Sequence, residues 1–573
     1  IRVPWPRSML IKALFLIIFV SSFLNACQKV EQDLTANHFD DITLESKLNF
    51  KHTSGIEGRY LLPEIMGSGG ALFDFDNDGD LDIYLVNGGN RRNNQDDSAN
   101  KLFQRNTDGL YQDVTKTAGL DDTGFGMGSA LGDFDNDGDL DIYVSNVDDD
   151  RLFLNNGDAT FSDISENAGI QGHGWSSSAT FCDIDDDGFL DLYVATYVTQ
   201  EPAQACADAS GEIDYCAPNA YRGEADQLYH NNGDGSFTFI GKRSGISQRN
   251  NNALGVICFD FNGDHQDDFF VANDGERNHL WINNGDGTFN ERAVTYGVAV
   301  NLFGDTEASM GIALGDTNAD RRLDLLLTHL DEETNTLYLR TGDRTLIDAT
   351  IQSGLGGPSI PETGFGVSMF DANQDGALDI AISNGRVRKQ PGDLLDPSMG
   401  ILEQFHYDYA EPNRLMVNLG SGKFADWCVV SNPFCSDLHV SRGLITGDID
   451  ADGDLDILVM NSNGPARLYR NEIADKGGWL KLRAFDPALN RDAIGARVGI
   501  RIGNAWQVRP IIHSDSYLSS HDAVVHFGLG NATTVDEIIV IWPRGETERF
   551  PPLRRNQLAV LSRGQGSAIE IAK

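Results

Sequence analysis

At 573 residues the chain exceeds what one compact core organises, so it holds several domains or a repeat architecture. Its 44 basic against 86 acidic residues leave a formal charge of −42, which excludes nucleic acid and anionic membrane surfaces as charge-held partners and favours cations. With 40% hydrophobic residues and 61 glycines the acidity does not mean disorder: apolar material for a core is present, and the glycines point to a turn-rich β protein.

The amino terminus reads as an export signal over residues 1–27. Lys12 precedes the apolar run ALFLIIFVSSFL, too short for a comfortable bilayer span, and the run ends at LNAC, residues 24–27. Small or apolar residues before Cys27 resemble a bacterial lipobox, in which Cys27 is lipidated and becomes the first mature residue. Asn25 departs from that pattern, and a plain secretory peptide is the alternative. Met9 gives a better signal length than Ile1, which would make residues 1–8 an untranslated extension. On either reading the protein is exported, as an outer-membrane or cell-surface lipoprotein or as a secreted protein, with residues 28–37 as a linker.

From residue 38 onward an acidic nonapeptide recurs. It starts at Asp74 and Asp133 (DFDNDGDLD), Asp183 (DIDDDGFLD), Asp260 (DFNGDHQDD), Asp316 (DTNADRRLD), Asp371 (DANQDGALD) and Asp448 (DIDADGDLD). The starts are 59, 50, 77, 56, 55 and 77 residues apart, a spacing that suits a four-stranded propeller blade with two enlarged units. GMGSALGDF supplies an approach strand and LDIYVSN an exit strand. RLFLNNGDATFSDIS, QLYHNNGDGSFTFIG and HLWINNGDGTFNERA each supply a hairpin, turned at Gly-Asp or Asp-Gly with positive φ. FDDITLESKLNF, residues 39–50, resembles the end of a repeat without its beginning, whereas the seventh unit ends at RLYRNE without a fourth strand. Residues 39–43 are therefore expected to complete that sheet. The predicted fold is all-β, a closed seven-bladed β-propeller over residues 38–476, rather than an open solenoid with exposed edges.

Within each nonapeptide the side chains at positions one, three, five and nine, and the backbone carbonyl at position seven, can converge on one hard cation, with glycine at position six allowing the sharp turn. This makes calcium the expected ion, about five to seven per chain. The ligand positions are Asp74, Asp76, Asp78, Asp80 and Asp82 in the first loop, and Asp133, Asp135, Asp137, Asp139 and Asp141 in the second. They are Asp183, Asp185, Asp187, Phe189 and Asp191 in the third, and Asp260, Asn262, Asp264, Gln266 and Asp268 in the fourth. The fifth offers Asp316, Asn318, Asp320, Arg322 and Asp324; the sixth Asp371, Asn373, Asp375, Ala377 and Asp379; the seventh Asp448, Asp450, Asp452, Asp454 and Asp456. Gly79, Gly138, Gly188, Gly376 and Gly453 hold position six, where the fourth and fifth loops diverge with His265 and Arg321. A metal-free Asp/Asn/Gly turn is the alternative; in the full loops it is opposed by carboxylate repulsion. The repeat resembles the VCBS and FG-GAP family, also found in integrin α-subunit propellers, over about residues 38–472.

Six cysteines remain after Cys27, an even number for an oxidising compartment. Cys206 with Cys216 and Cys428 with Cys435 are expected to close short loops, while Cys182 and Cys258 read equally as buried thiols or a bridge.

Residues 477–573 form a second, basic-leaning β unit with strand candidates WLKLRAF, ARVGIRIG, AWQVRPII, AVVHFGLG, EIIVIWP and QLAVLSR. NRDAIGARV, SYLSSHDAVVHFGLG and VDEIIVIWPRG resemble the ASPIC/UnbV domain, and the whole chain then resembles the cartilage-acidic-protein-like bacterial family. That resemblance implies an extracellular calcium-binding protein with adhesion or matrix roles. His513, His521 and His526 look like a metal set, but their spacing favours structural roles, as does the position of Trp542 before a proline.

Alternating connections place the acidic loops on one face and the enlarged loops, 197–225 and 385–413, on the other, with a third excursion at 88–100. Trp175, Tyr197, Tyr221, Arg222, Arg277, Arg386 and His406 lie in or beside those excursions and mark a ligand search area, with packing as the alternative for each. The expected function is that of an adhesion, binding or structural module for an extracellular protein or polysaccharide. The alternative is a carbohydrate-active hydrolase or lyase using the same face.

Overall fold

A computed structural model describes residues 38–569, apart from 57, 90–97, 171–173, 201–205, 209–210, 390–398, 429–430 and 475. Cys27, the signal segment and the 28–37 linker lie outside the described residues, as do parts of all three excursions. Among the described residues no helix is long and apolar enough to cross a membrane.

The repeats fold into successive four-stranded antiparallel sheets, a β-propeller-like arrangement. In the second repeat Gly126–Gly132 pairs with Asp141–Asn146, then Arg151–Asn155, then Phe161–Asp163, with the acidic loop between the first two strands. The hairpin turns by positive φ at Gly157 and Ala159, in keeping with its Gly-Asp sequence. Asp141–Asn146 is buried throughout, because a sheet packed between two neighbours has no solvent face. The first strands contact one another in succession, and the last, Ser441–Gly447, touches the first, Gly70–Phe73.

The sheet of the seventh repeat is completed from the other end of the chain. Phe39–Asp41 pairs antiparallel with Arg467–Asn471, in the register Phe39↔Asn471, and Ile42 N continues the ladder to Leu468 O. Six cysteines form Cys206–Cys216, Cys428–Cys435 and Cys182–Cys258. The third bridge joins the first strands of neighbouring sheets, Ser176–Cys182 and Ala253–Phe259.

A hydrogen bond that the sequence did not announce ties sheet to sheet. The residue ending the third strand is Asn155, Asn231, Asn283, Asn418 or Asn471, and its Nδ2 donates to a carbonyl beside the preceding repeat's acidic loop: Phe75 O, Phe134 O, Ile184 O, Thr317 O and Ala372 O, all at 2.8–2.9 Å. In the fifth repeat Arg340 Nη1 takes the same role on Phe261 O at 2.6 Å.

The C-terminal domain has its own core of Leu480, Leu482, Val498, Phe527 and Trp542, the last 1% exposed, as its packing role required. Gly478–Asp486 pairs antiparallel with Val525–Gly530 and parallel with Leu558–Ser562. A second sheet holds Ala505–Pro510, Arg497–Ile502, Glu537–Ile541 and Thr547–Phe550. All six expected strands are present. One segment leaves this domain for the repeats: Ser519–His521 adds in parallel to Gly70–Phe73, and Tyr517, 0% exposed, donates to Met66 O at 2.9 Å. Gly128 is required beside it, since a Cβ there would lie 2.7 Å from Leu518 O.

Candidate metal loops and the domain that covers them

Every acidic loop has the same backbone frame. The position-nine carboxylate accepts two backbone N–H groups: Asp141 takes Phe134 N at 3.1 Å and Asn155 N at 2.9 Å, and the same pair recurs at Asp82, Asp191, Asp268, Asp324, Asp379 and Asp456. Position five accepts from the position-seven N–H, as Asp137 does from Asp139 at 2.9 Å. The chain is left-handed at position six, including His265 at φ 69° and Arg321 at φ 72°. It is also left-handed at position four, in Asn77, Asn136, Asp186, Gly263, Ala319, Gln374 and Ala451. The position-four requirement was missed because its residue types look unrelated; after glycine, Asn and Asp tolerate this region best.

The frame brings acids together. One oxygen each from Asp74, Asp76 and Asp82, from Asp133, Asp135 and Asp141, and from Asp183, Asp185 and Asp191 falls within 4.8 Å of the others. Asp185, Asp187 and His230 form a further such group, and the sequence had not singled out His230. Its Nδ1 is 3.0 Å from Asp191 Oδ1. Burial, then neighbouring carboxylates, push Asp133 up to about 7, against the pull of the Gly138 N–H. Asp371 is also raised to about 7, first by burial and then by Asp375. Asp76 Oδ1 and Asp183 Oδ1 are buried without a hydrogen-bond partner. Clustered carboxylates with orphaned oxygens fit a divalent cation held by positions one, three and nine. Position-seven side chains vary from Asp80, Asp139 and Asp454 through Phe189, Gln266 and Arg322 to Ala377, so only the backbone carbonyl there is common to all loops.

The C-terminal domain sits on this acidic face, and its basic composition is complementary to it. Arg491, 5% exposed, spans the second and third loops: Nε donates to Asn136 Oδ1 at 2.8 Å, and Nη2 lies 3.9 Å from Asp183 Oδ2. Arg497 Nη2 is 3.9 Å from Asp260 Oδ2, and Arg544 donates to Asp186 O. Between the domain and the loops lies a cavity of about 190 Å³, lined by Asp371, Asp448, Lys481, Arg509, His521 and His526 among others. The three histidines are engaged separately. His513 Nδ1 meets His521 O at 2.8 Å, His521 Nε2 meets Asp515 Oδ1 at 3.3 Å, and His526 Nε2 meets Gly453 O at 3.0 Å.

The excursions begin where the strands leaving the acidic loops end, Asp191–Thr196 and Asp379–Asn384, hence at the far ends of those strands. Several of the described residues in or beside them fold inward. Trp175 and Tyr197 are 0% exposed with ring centroids 5.0 Å apart, and Tyr197 OH donates to Asp274 Oδ2, so both are packing residues and not ligand contacts. Tyr221 packs against the same cluster, Arg386 Nε pairs with Glu411 Oε1 at 3.0 Å, and His406 is half-buried. Arg222 and Arg277 stay exposed. The two enlarged repeats meet: Asp214 accepts Tyr409 OH at 2.5 Å and Lys389 N at 3.0 Å, while Lys389 Nζ donates to Tyr60 OH at 3.2 Å. These polar atoms face one another across the described parts of the two excursions.

Repeated four-stranded sheets of this kind, with an acidic loop in each and a β domain seated on those loops, define a β-propeller-like binding or structural module. The chain belongs to the FG-GAP-like repeat family, which matches residues 74–144, 133–194, 208–271, 260–327 and 316–382, more than half of its length. Residues 486–568 match the ASPIC and UnbV family. The chain is similar to cartilage acidic protein 1 of Xenopus tropicalis, 25% identical over 368 residues covering 54% of this chain and 54% of that protein. It is also similar to cartilage acidic protein 1 of Homo sapiens, 26% identical over 287 residues covering 49% and 39%. The chain thus spans about half or less of the length of the relatives it matches. A solved structure of an Agrocybe aegerita lectin that recognises non-reducing terminal N-acetylglucosamine covers 71% of this chain and 88% of its own at 14% identity, with a TM-score of 0.37.

Proposed function

We propose that the chain is an exported, calcium-stabilised, closed seven-bladed propeller that acts as a binding module for an extracellular protein or polysaccharide. The observation that carries this reading is the identical frame of the acidic loops. It gathers position-one, -three and -nine oxygens within 4.8 Å in the first three loops and leaves Asp76 Oδ1 and Asp183 Oδ1 orphaned. Calcium, when bound, supplies the charge that lets these buried carboxylates stay ionised; the chain's own part is to hold them in place. The fourth and fifth loops keep both left-handed positions, which supports including them despite His265 and Arg321. Closure into one ring is supported by the Phe39–Asp41 pairing and by the contacts of Ser441–Gly447 with Gly70–Phe73.

The partner is assigned to the face opposite the acidic loops, because the C-terminal domain covers the loops. The helix Ile401–Tyr409 there leaves Ile401 48% and Tyr407 57% exposed, near Ile213 at 59%. Exposed large apolar side chains on that face suit a macromolecular contact better than an isolated small ligand. Binding to glycan arrays and extracellular-protein pull-downs, with calcium and with chelator, tests the reading. A calcium-dependent partner lost in Tyr407→Asp is expected; retention of all binding in that variant contradicts the face assignment, and equal binding in chelator contradicts the role of calcium.

A further inference from the structure

The seventh loop carries acids at positions one, three, five, seven and nine, as the first two do, but departs from the other six at its first residue. In those six the position-one carboxylate accepts the position-six N–H: Asp74 from Gly79 at 2.9 Å, Asp133 from Gly138 at 3.0 Å and Asp183 from Gly188 at 3.1 Å. Asp260 accepts from His265 at 3.2 Å, Asp316 from Arg321 at 2.8 Å and Asp371 from Gly376 at 2.8 Å. Among the described residues no such bond joins Gly453 to Asp448. Asp448 Oδ2 instead accepts from Lys481 Nζ, and Asp454 Oδ2 accepts from Lys476 Nζ, which also donates to Asn471 O at 3.0 Å. Both carboxylate side chains are 2% exposed, so these are buried ion pairs. Among the described residues no other loop has an ammonium within hydrogen-bond distance of its position-one acid; the guanidinium groups of Arg491 and Arg497 stand 3.9 Å from Asp183 and Asp260.

We propose that the seventh loop is not a calcium site but the docking site of the C-terminal domain, with Lys476 and Lys481 occupying it as tethered cations. This rests on the calcium reading of the other loops and removes one loop from it. Two ammonium groups supply the two charges that a divalent ion supplies elsewhere. Both come from the segment that joins the repeats to the domain, Lys481 from its first strand, Gly478–Asp486. They are covalently held and are not lost by dissociation. Other contacts close the loop from above: His526 Nε2 meets Gly453 O at 3.0 Å, Gln374 Nε2 donates to the same oxygen at 3.1 Å, and Trp479 lies over Gly453. The acids themselves remain a full calcium set. Asp448 Oδ1 and Asp454 Oδ1 are buried without hydrogen-bond partners and would turn to an ion once the lysines were gone.

Calcium stoichiometry of the full chain, measured by equilibrium dialysis, tests this, with circular dichroism to verify folding. Asp448→Asn is expected to bind as many ions as the unaltered protein, and Lys476→Met with Lys481→Met one more. One ion fewer in Asp448→Asn, or no gain in the double variant, overturns the proposal; if the double variant does not fold, Asp448→Asn decides alone. Asp133→Asn is the independent control: loss of one ion there supports the calcium reading of the other loops, and unchanged stoichiometry contradicts that reading without bearing on the seventh. Should the unaltered protein bind none, a single ion gained by the double variant still supports the proposal, and none gained overturns it.

Discussion

Trp479 lies directly over Gly453: a Cβ added to that glycine would fall 1.7 Å from Trp479 Cε2. The position-six glycine therefore serves two ends, a φ of 96° for the loop and clearance for the domain above it. Gly79 has the same conformation, φ 94°, with nothing within 4 Å. Gly453→Ala and Gly79→Ala thus share the backbone strain and differ in the overlap. In chelator, Gly453→Ala is expected to lose about 1–3 kcal/mol more stability than Gly79→Ala by urea unfolding. Equal losses would show that the domain does not bear on the loop.

The asparagine staples carry a second expectation. Asn283 Nδ2 donates to Ile184 O at 2.8 Å and Asp267 O at 3.2 Å, and its Oδ1 accepts Gly285 N at 2.9 Å. Asn283→Ala leaves buried carbonyls unpaired and is expected to cost about 2–3 kcal/mol. Asn283→Asp, which sets a carboxylate against those carbonyls, is expected to cost more; urea unfolding of both variants checks the order.

Arg491 is buried between two loops, and its removal leaves carboxylates and Gly188 O facing a void. Arg491→Met is expected to cost about 3–5 kcal/mol, the range for breaking a buried pair, and to separate a low-denaturant transition of the C-terminal domain. A single unshifted transition by tryptophan fluorescence would contradict it.

Burial raises Asp274 to about 6, against the hydrogen bond from Tyr197 that lowers it. A carboxyl raised in the folded state binds its proton more tightly there than in the unfolded chain. Its charged form therefore costs stability above the folded value, and that cost disappears as pH falls from about 6 to below about 4. Asp274→Asn keeps an acceptor for Tyr197 and is expected to be more stable than the unaltered protein at pH 8, by on the order of 2 kcal/mol. The gain should vanish near pH 4. Urea midpoints across that range provide the check.

Much of the fold was legible because its signals are local. The D-x-D-x-D-G-x-L-D spacing, the Gly-Asp turns and the truncated FDDITLESKLNF segment each lie within one repeat, and Phe39–Asp41 did pair where the missing strand was expected. Other features that join distant segments leave no such local defect and were not legible. Asn155 reaches Phe75 O in another sheet, and its recurrence in NNGD gave a pattern without a partner. Cys182 and Cys258 could not be paired until adjacent first strands set them side by side. Trp175 and Tyr197 were assigned to a ligand face because connection order gives the end of a strand, not the direction in which its insertion folds. The C-terminal cover on the loops was equally hidden, since Lys481 and Arg491 find their acids only after both units have folded.

Thermal unfolding of the full chain in calcium, in chelator, and in chelator with magnesium is the most direct test that the acidic loops are calcium sites holding the propeller together. Each loop saturated a hundredfold above its dissociation constant adds about 2.7 kcal/mol. Calcium alone is therefore expected to raise the midpoint by at least about 10 °C over both other conditions. Identical midpoints in all three would contradict the assignment.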